Sequence, residues 1–162
     1  MPGQVNYADG VKFPASQVAS TDVNTLDDYE EGTFQVTFTC GTSGTITIDT
    51  TQDTLSYVKI GRMVMISGLV AVSSVSSPVG SLSLGNLPFA NQAGAEQSAY
   101  APVNCRGSGL ENTAATMMTG YIGPNGNTIN IEHFSAGVVG NAAADVKGGS
   151  NFIIGAIYLA AQ

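Results

Sequence analysis

The chain has 162 residues, of which 43% are hydrophobic and 10% charged, and a formal net charge of −7. This length is enough for a single domain with one buried core. No apolar run approaches the roughly 20 residues that a membrane helix needs, so bilayer insertion is not expected. Nucleic acid is not expected as a partner, because phosphate binding needs clustered cations and the five basic residues are scattered: Lys12, Lys59, Arg62, Arg106 and Lys147.

The low charge content also constrains the surface. Roughly a quarter of a typical globular chain is charged, so Ser, Thr, Asn, Gln and Gly must cover most of this one. Such a surface suits an all-β extracellular or particle-bound protein, and it favours burial against copies of the same chain. The N-terminus lacks the basic and apolar segments of a signal peptide. Export through a signal peptide is therefore not expected, and release within an assembled particle would fit this composition.

Residues 1–32 differ from the rest of the chain. Their apolar residues are isolated and follow no period, and five of the twelve acidic residues fall between positions 20 and 32. We expect an extended arm that docks on its own domain, a neighbouring subunit or a larger assembly; the alternative is a solvated acidic leader. The candidate anchoring residues of this arm are Tyr7, Phe13, Leu26, Asp27, Asp28 and Tyr29.

From position 33 onwards the pattern is that of short β-strands. Tyr57–Val70 reads as a hairpin turning at Gly61-Arg62. Pro102 suggests that its strand lies at the edge of the sheet. Residues 73–80 are predicted to be a polar loop, and the apolar run 152–159 is predicted to be a strand in the middle of a sheet. The fold class predicted for residues 33–162 is all-β, an antiparallel β-sandwich of jelly-roll type with an extended N-terminal arm. Nine strands are predicted, at 34–40, 45–50, 54–60, 63–72, 81–84, 99–105, 114–122, 128–132 and 152–159.

Little in the chain suggests catalysis or metal binding. Nucleophilic catalysis would have to use His133, the only histidine, and no Gly-x-Ser-x-Gly elbow is present. Residues 27–31 lack the alternating oxygen ligands of a calcium-binding loop, and the chain has no paired Cys or His motif that could bind zinc. We expect no enzyme activity, no metal and no cofactor. Cys40 and Cys105 could form a disulfide, but neither their spacing nor their context requires one.

Two motifs of the chain are specific in combination: Leu26-Asp27-Asp28-Tyr29-Glu30-Glu31-Gly32 and Tyr57-Val58-Lys59-Ile60-Gly61. They resemble the distal domains of fibre and tail-associated proteins of tailed bacteriophages. Further matches are Val11–Val18, Gly80–Phe89 and Phe152–Tyr158. The resemblance implies a virion protein, usually a homotrimer of β-sandwiches. Members of that family generally carry this domain at the end of a long shaft, whereas here the motif follows soon after Met1.

The leading hypothesis is therefore a short trimeric fibre or head-decoration protein on the virion surface. Its arm would anchor it to capsid or tail proteins of the same particle. The alternative is the tip of a tail fibre that attaches to the host by recognising a surface glycan or protein. The candidate ligand-facing loop residues for that role are Gln97, Tyr100, Arg106, Glu111, His133 and Asn141.

Overall fold

The computed structural model describes residues 26, 28–94, 100–111, 117–135, 138–140 and 142–161. This part of the chain is all-β and antiparallel, as the sequence predicts, with one short 3-10 turn at Ala142–Asp145. The strands are β1 Tyr29–Gln35, β2 Thr37–Cys40, β3 Ser43–Ile48, β4 Thr54–Ile60, β5 Met63–Val79, β6 Leu82–Gly85, β7 Ala101–Ser108, β8 Met117–Ile122, β9 Ile129–Ser135, β10 Val138–Gly140 and β11 Asn151–Leu159.

The strands form one sheet that curls towards closure. Its order is β1-β4-β5-β11-β7-β8-β9-β6-β2, with β3 on the far half of β5 and β10 on β9. The two end strands, β1 and β2, are consecutive in the chain and are separated only by Val36. The Val36 N–H belongs to neither strand's hydrogen-bond ladder; it donates to the Asp53 carbonyl at 2.9 Å. One bent segment therefore supplies both ends of the sheet, which encloses the core like a barrel wall; the jelly-roll type of this arrangement stays a prediction.

The core lies inside this curled sheet. Alternate residues of each strand point inwards, as the two-residue period of a strand requires, and Leu55, Val64, Leu84 and Phe152 are fully buried. The Phe152 ring packs against Phe38, with 5.1 Å between the ring centroids. These contacts join the middle of the sheet, β11, to its end strand β2.

The hairpin predicted at Tyr57–Val70 is confirmed. β4 and β5 pair from Ile60↔Met63 to Ser56↔Ser67, and Gly61 in the turn has a φ of +56°. Val64 and Ile66 lie in the core, whereas Ile60 is 37% exposed because its side chain points to the outer face.

Three local predictions were wrong. The segment predicted as one strand at 34–40 divides at Val36 and begins earlier, at Tyr29. Residues 73–79 are not a loop: although rich in serine, they continue β5 and pair with β3. Pro102 does not mark an edge, since β7 lies between β11 and β8. The β7–β11 ladder begins at Val103, so no donor is required from Pro102 on that side.

The start of β1 also bears on the arm. The sequence divides the chain into residues 1–32 and 33–162, and this division stays a prediction. Residues 29–32 already pair with β4, through Tyr29↔Ile60 to Gly32↔Tyr57. The last four residues of the proposed arm are therefore part of the sheet.

Candidate interaction surface

The outer side of β4, β5 and β11, and of β7 as far as Asn104, is a broad sheet surface without a charged residue, which we term the uncharged face. Residues paired directly across antiparallel strands share one side of the sheet, and rows such as Val58↔Met65↔Ile157 define this surface. It consists of Ser56, Val58, Ile60, Met63, Met65, Ser67, Leu69, Pro102, Asn104, Ile153, Gly155, Ile157 and Leu159.

A groove of about 730 Å³ runs across the middle of this face. Val58, Met65 and Ile157 line it together with Pro102 and Gly155. Met65 is 44% exposed and Ile157 57% exposed, so large apolar side chains face solvent. Contiguous exposed apolar surface of this kind marks an interaction site more often than a free surface. The uncharged face is therefore the candidate functional site.

The pattern that builds this face was visible in the sequence. A strand with one buried side alternates apolar and polar residues, whereas one covered on both sides is apolar throughout. Met63-Val64-Met65-Ile66 and Ile157-Tyr158-Leu159 are apolar at both parities. Val64, Ile66 and Tyr158 enter the core, and their neighbours form the outer face. The strands are predictable from this pattern, but the pattern alone does not show that their outer residues form one continuous site.

The two flanks of the uncharged face carry opposite charges. On one side, Glu31 of β1 pairs with Val58 and is exposed on the same surface. On the other, Arg106 of β7 pairs with Ile153 and is likewise exposed. Neither residue forms an ion pair with another described residue. Glu31 accepts a hydrogen bond from the Tyr29 hydroxyl at 2.8 Å, which raises the pKa of Tyr29.

Behind the face, a buried ion pair fixes the base of the arm. Lys59 and Asp28 form a contact in which their side chains are 6% and 7% exposed. The Lys59 ammonium also lies 5.3 Å from the centre of the Phe89 ring, a cation–π geometry. The Asp28 carbonyl accepts the Gly61 N–H at 2.8 Å. Lys59 thus holds the start of β1 on the β4–β5 hairpin.

A second contact reinforces this base. The Tyr57 hydroxyl donates to Glu30 Oε1 at 2.5 Å. That hydrogen bond, with burial and the negative charge of Glu30, raises the pKa of Tyr57 to about 12. The Tyr57 ring meets Phe89 edge-on at 5.5 Å. The residues from Asp28 onwards are therefore held by their own domain, in cis.

A second buried polar pair joins β9 to the 3-10 turn. His133 and Asp145 are each 8% exposed, and His133 Nδ1 contacts Asp145 Oδ2. The Asp145 carbonyl accepts the Glu111 N–H at 2.8 Å. This places His133, a candidate ligand-facing residue, inside the fold with its imidazole turned towards Asp145.

The remaining candidate residues are dispersed. Tyr100 is 53% exposed, and its ring lies 5.7 Å from that of Tyr121. Glu111 is exposed and faces Lys147 at 3.8 Å. Arg106 lies within a strand rather than a loop. Leu26 is 54% exposed beside Gly61. Five candidates lie outside the described residues: Tyr7, Phe13, Asp27, Gln97 and Asn141.

Both cysteines are free. Cys105 points into the core from β7, and burial raises the pKa of its thiol to about 12. Cys40 is half-buried, and burial raises its pKa as well. Among the residues that the structure describes, no three His, Cys, Asp or Glu side chains are grouped so that they could hold a metal ion. No described helix has the length and apolar character needed to span a membrane.

The fold and this surface define a small antiparallel β domain with one uncharged outer face. No protein-family model matches the chain, and no curated protein matches it by sequence. Among solved structures, it is similar to the Dettilon tailspike protein (gp208), with a TM-score of 0.68 and 21% sequence identity. The match covers 80% of this chain and 23% of the tailspike chain. The likeness therefore concerns the fold of a segment of a much longer protein.

Proposed function

We propose that the chain is a structural protein of a tailed-bacteriophage virion. In this proposal it forms a short homotrimeric fibre or head-decoration protein, and its N-terminal arm attaches it to capsid or tail proteins. The observation that carries the proposal is the likeness of its fold to a segment of a phage tailspike protein. The fibre-like motifs at 26–32 and 57–61 point the same way.

The uncharged face supports a trimer. A monomer would leave Met65, Ile157 and their apolar neighbours permanently in water, whereas subunits packed about a common axis would cover them. A jelly-roll β-sandwich is the architecture that we infer for each subunit. We propose no catalytic role: His133 is buried against Asp145, and the raised pKa of Cys105 keeps its thiol protonated at neutral pH.

The experiment removes residues 1–25 of the arm and leaves every described strand of the domain intact. Deletion of residues 1–25 spares Asp28, which pairs with Lys59, and leaves β1 whole. A phage lacking its own copy of the gene is complemented with the deleted chain, and the protein on purified particles is quantified by mass spectrometry. We expect a folded oligomer that no longer joins particles. Incorporation at the level of the full chain would refute the anchoring role.

Point variants supply the matched control. Tyr7→Ser with Phe13→Ser removes apolar side chains from the arm, and Gln4→Ala with Asn6→Ala changes two polar ones. Only the first pair should reduce incorporation. An electron cryomicroscopy map of particles with and without the protein then places it on the head or on the tail.

One observation favours attachment to the host as a second candidate function. The exposed Tyr100 ring and the half-buried Tyr121 ring form an aromatic pair with centroids 5.7 Å apart. Such a pair offers an apolar platform with polar hydroxyls, on which a sugar ring of a host-surface glycan could stack. The test is competition for host adsorption by the purified protein. Tyr100→Ala should abolish competition and Tyr100→Phe should retain it; absence of competition by saturating wild-type protein rejects this role.

A further inference from the structure

The two charged flanks of the uncharged face are complementary to each other. Glu31 lies on β1, Arg106 lies on β7, and the strands between them are β4, β5 and β11. At about 4.8 Å between neighbouring strands, the flanks are roughly 19 Å apart across the sheet. The side chains are thus too far apart to pair within one chain, and each is exposed.

We propose that the uncharged face binds a second copy of this chain, with Arg106 of one copy against Glu31 of the next. This inference rests on the oligomer in the proposed function and identifies the contact between its subunits. Met65 and Ile157, at the apolar centre of the face, lose their water in this contact, while Arg106 and Glu31 lie at its edge. Protein interfaces are usually divided in this way into an apolar core and a polar rim.

The charges of the two flanks determine which kind of partner can bind the uncharged face. The chain has twelve acidic and five basic residues, and the groove itself is lined by none of them. A strongly acidic or basic partner would satisfy one flank and be repelled by the other. A partner that meets both flanks needs a cation and a carboxylate separated by an uncharged surface, and a second copy of the chain carries that arrangement. Complementary rim charges also fix the register of the contact.

The test is a charge exchange in the purified full chain. Arg106→Glu and Glu31→Arg each place like charges together, and the combined variant restores opposite charges. Sedimentation equilibrium over a range of protein and NaCl concentrations gives the dissociation constant. Each single variant should weaken association about tenfold or more, because like charges at an interface are strongly unfavourable, and the combined variant should return to within about threefold of wild type. Salt should reduce these differences.

Two controls separate the contact from folding and from charge in general. Glu111 and Lys147 are an exposed pair outside the strands of the face, so Glu111→Lys with Lys147→Glu should leave association unchanged. Met65→Lys should dissociate the oligomer, and Met65→Leu should not. Circular dichroism and thermal unfolding establish that each variant is folded; Arg106 and Glu31 are exposed, so their substitution should change stability little.

Each outcome decides the proposal. A monomeric wild type at all concentrations, single variants that associate normally, or a combined variant that fails to recover would overturn it. The measurement needs no virion, so it is independent of the particle-incorporation assay. A chain that associates through this face but never joins a particle would refute the proposed function alone.

Discussion

Replacing Lys59 with methionine tests whether the buried ion pair holds β1 in place. The Lys59 and Asp28 side chains are 6% and 7% exposed. Removing the lysine leaves the Asp28 carboxylate buried without its counter-ion, which costs about 3–5 kcal/mol. That is a large part of the roughly 5–15 kcal/mol by which a domain is stable. At about 2–4 °C per kcal/mol for a chain of this size, the melting temperature should fall by roughly 6–20 °C.

Guanidinium unfolding at one fixed protein concentration measures this loss, because an oligomer's apparent stability depends on concentration. Lys147→Met is the matched control: the Lys147 side chain is 42% exposed, and its loss should cost under about 0.5 kcal/mol. The double variant Asp28→Leu with Lys59→Met removes both charges and should recover most of the stability. Hydrogen exchange should show β1 opening in Lys59→Met alone. A cost below about 1 kcal/mol for Lys59→Met would refute this account of the arm's base.

Three further predictions concern other parts of the fold. Gly44 has a φ of +87°, and a Cβ there would lie 2.1 Å from the Ser77 carbonyl oxygen, so Gly44→Ala should lower the free energy of unfolding by at least about 2 kcal/mol in chemical unfolding. Gly123→Ala, where a Cβ meets only Tyr100 at 3.9 Å, should be nearly neutral. Equal losses of stability in the two variants would contradict the strain argument. Tyr57 and Tyr158 have pKa values raised from 10.0 to about 12. Because folding favours their protonated forms, the two tyrosines contribute a stabilisation that is complete below pH 10 and is lost as the pH rises through about 12. Unfolding midpoints that stay flat across that window would count against it, and Tyr57→Phe should flatten part of the fall. A thiol reagent should label Cys40 before Cys105, because Cys105 is 4% exposed and its pKa is raised to about 12; equal labelling rates in the folded protein would disprove the burial of Cys105.

Local patterns predicted most of the strands correctly. The hairpin was recognisable because Gly61-Arg62 separates two runs of β-branched and apolar residues. The run 152–159 was apolar enough to indicate a central strand, and β11 lies between β5 and β7. The residues 73–79 were missed because serine is a common loop residue, and only pairing with β3 shows that Val75 continues the strand.

By itself, the sequence determined the fold class and the low surface charge, because two-residue periodicity and composition are local properties. Only the tertiary structure decided which residues meet across the sheet. It placed Asp28 against Lys59, 31 positions away, and turned His133 inwards to Asp145. It also aligned the outward residues of four strands into one uncharged face between Glu31 and Arg106. Strand order and register are long-range properties, and no single stretch of the chain encodes them.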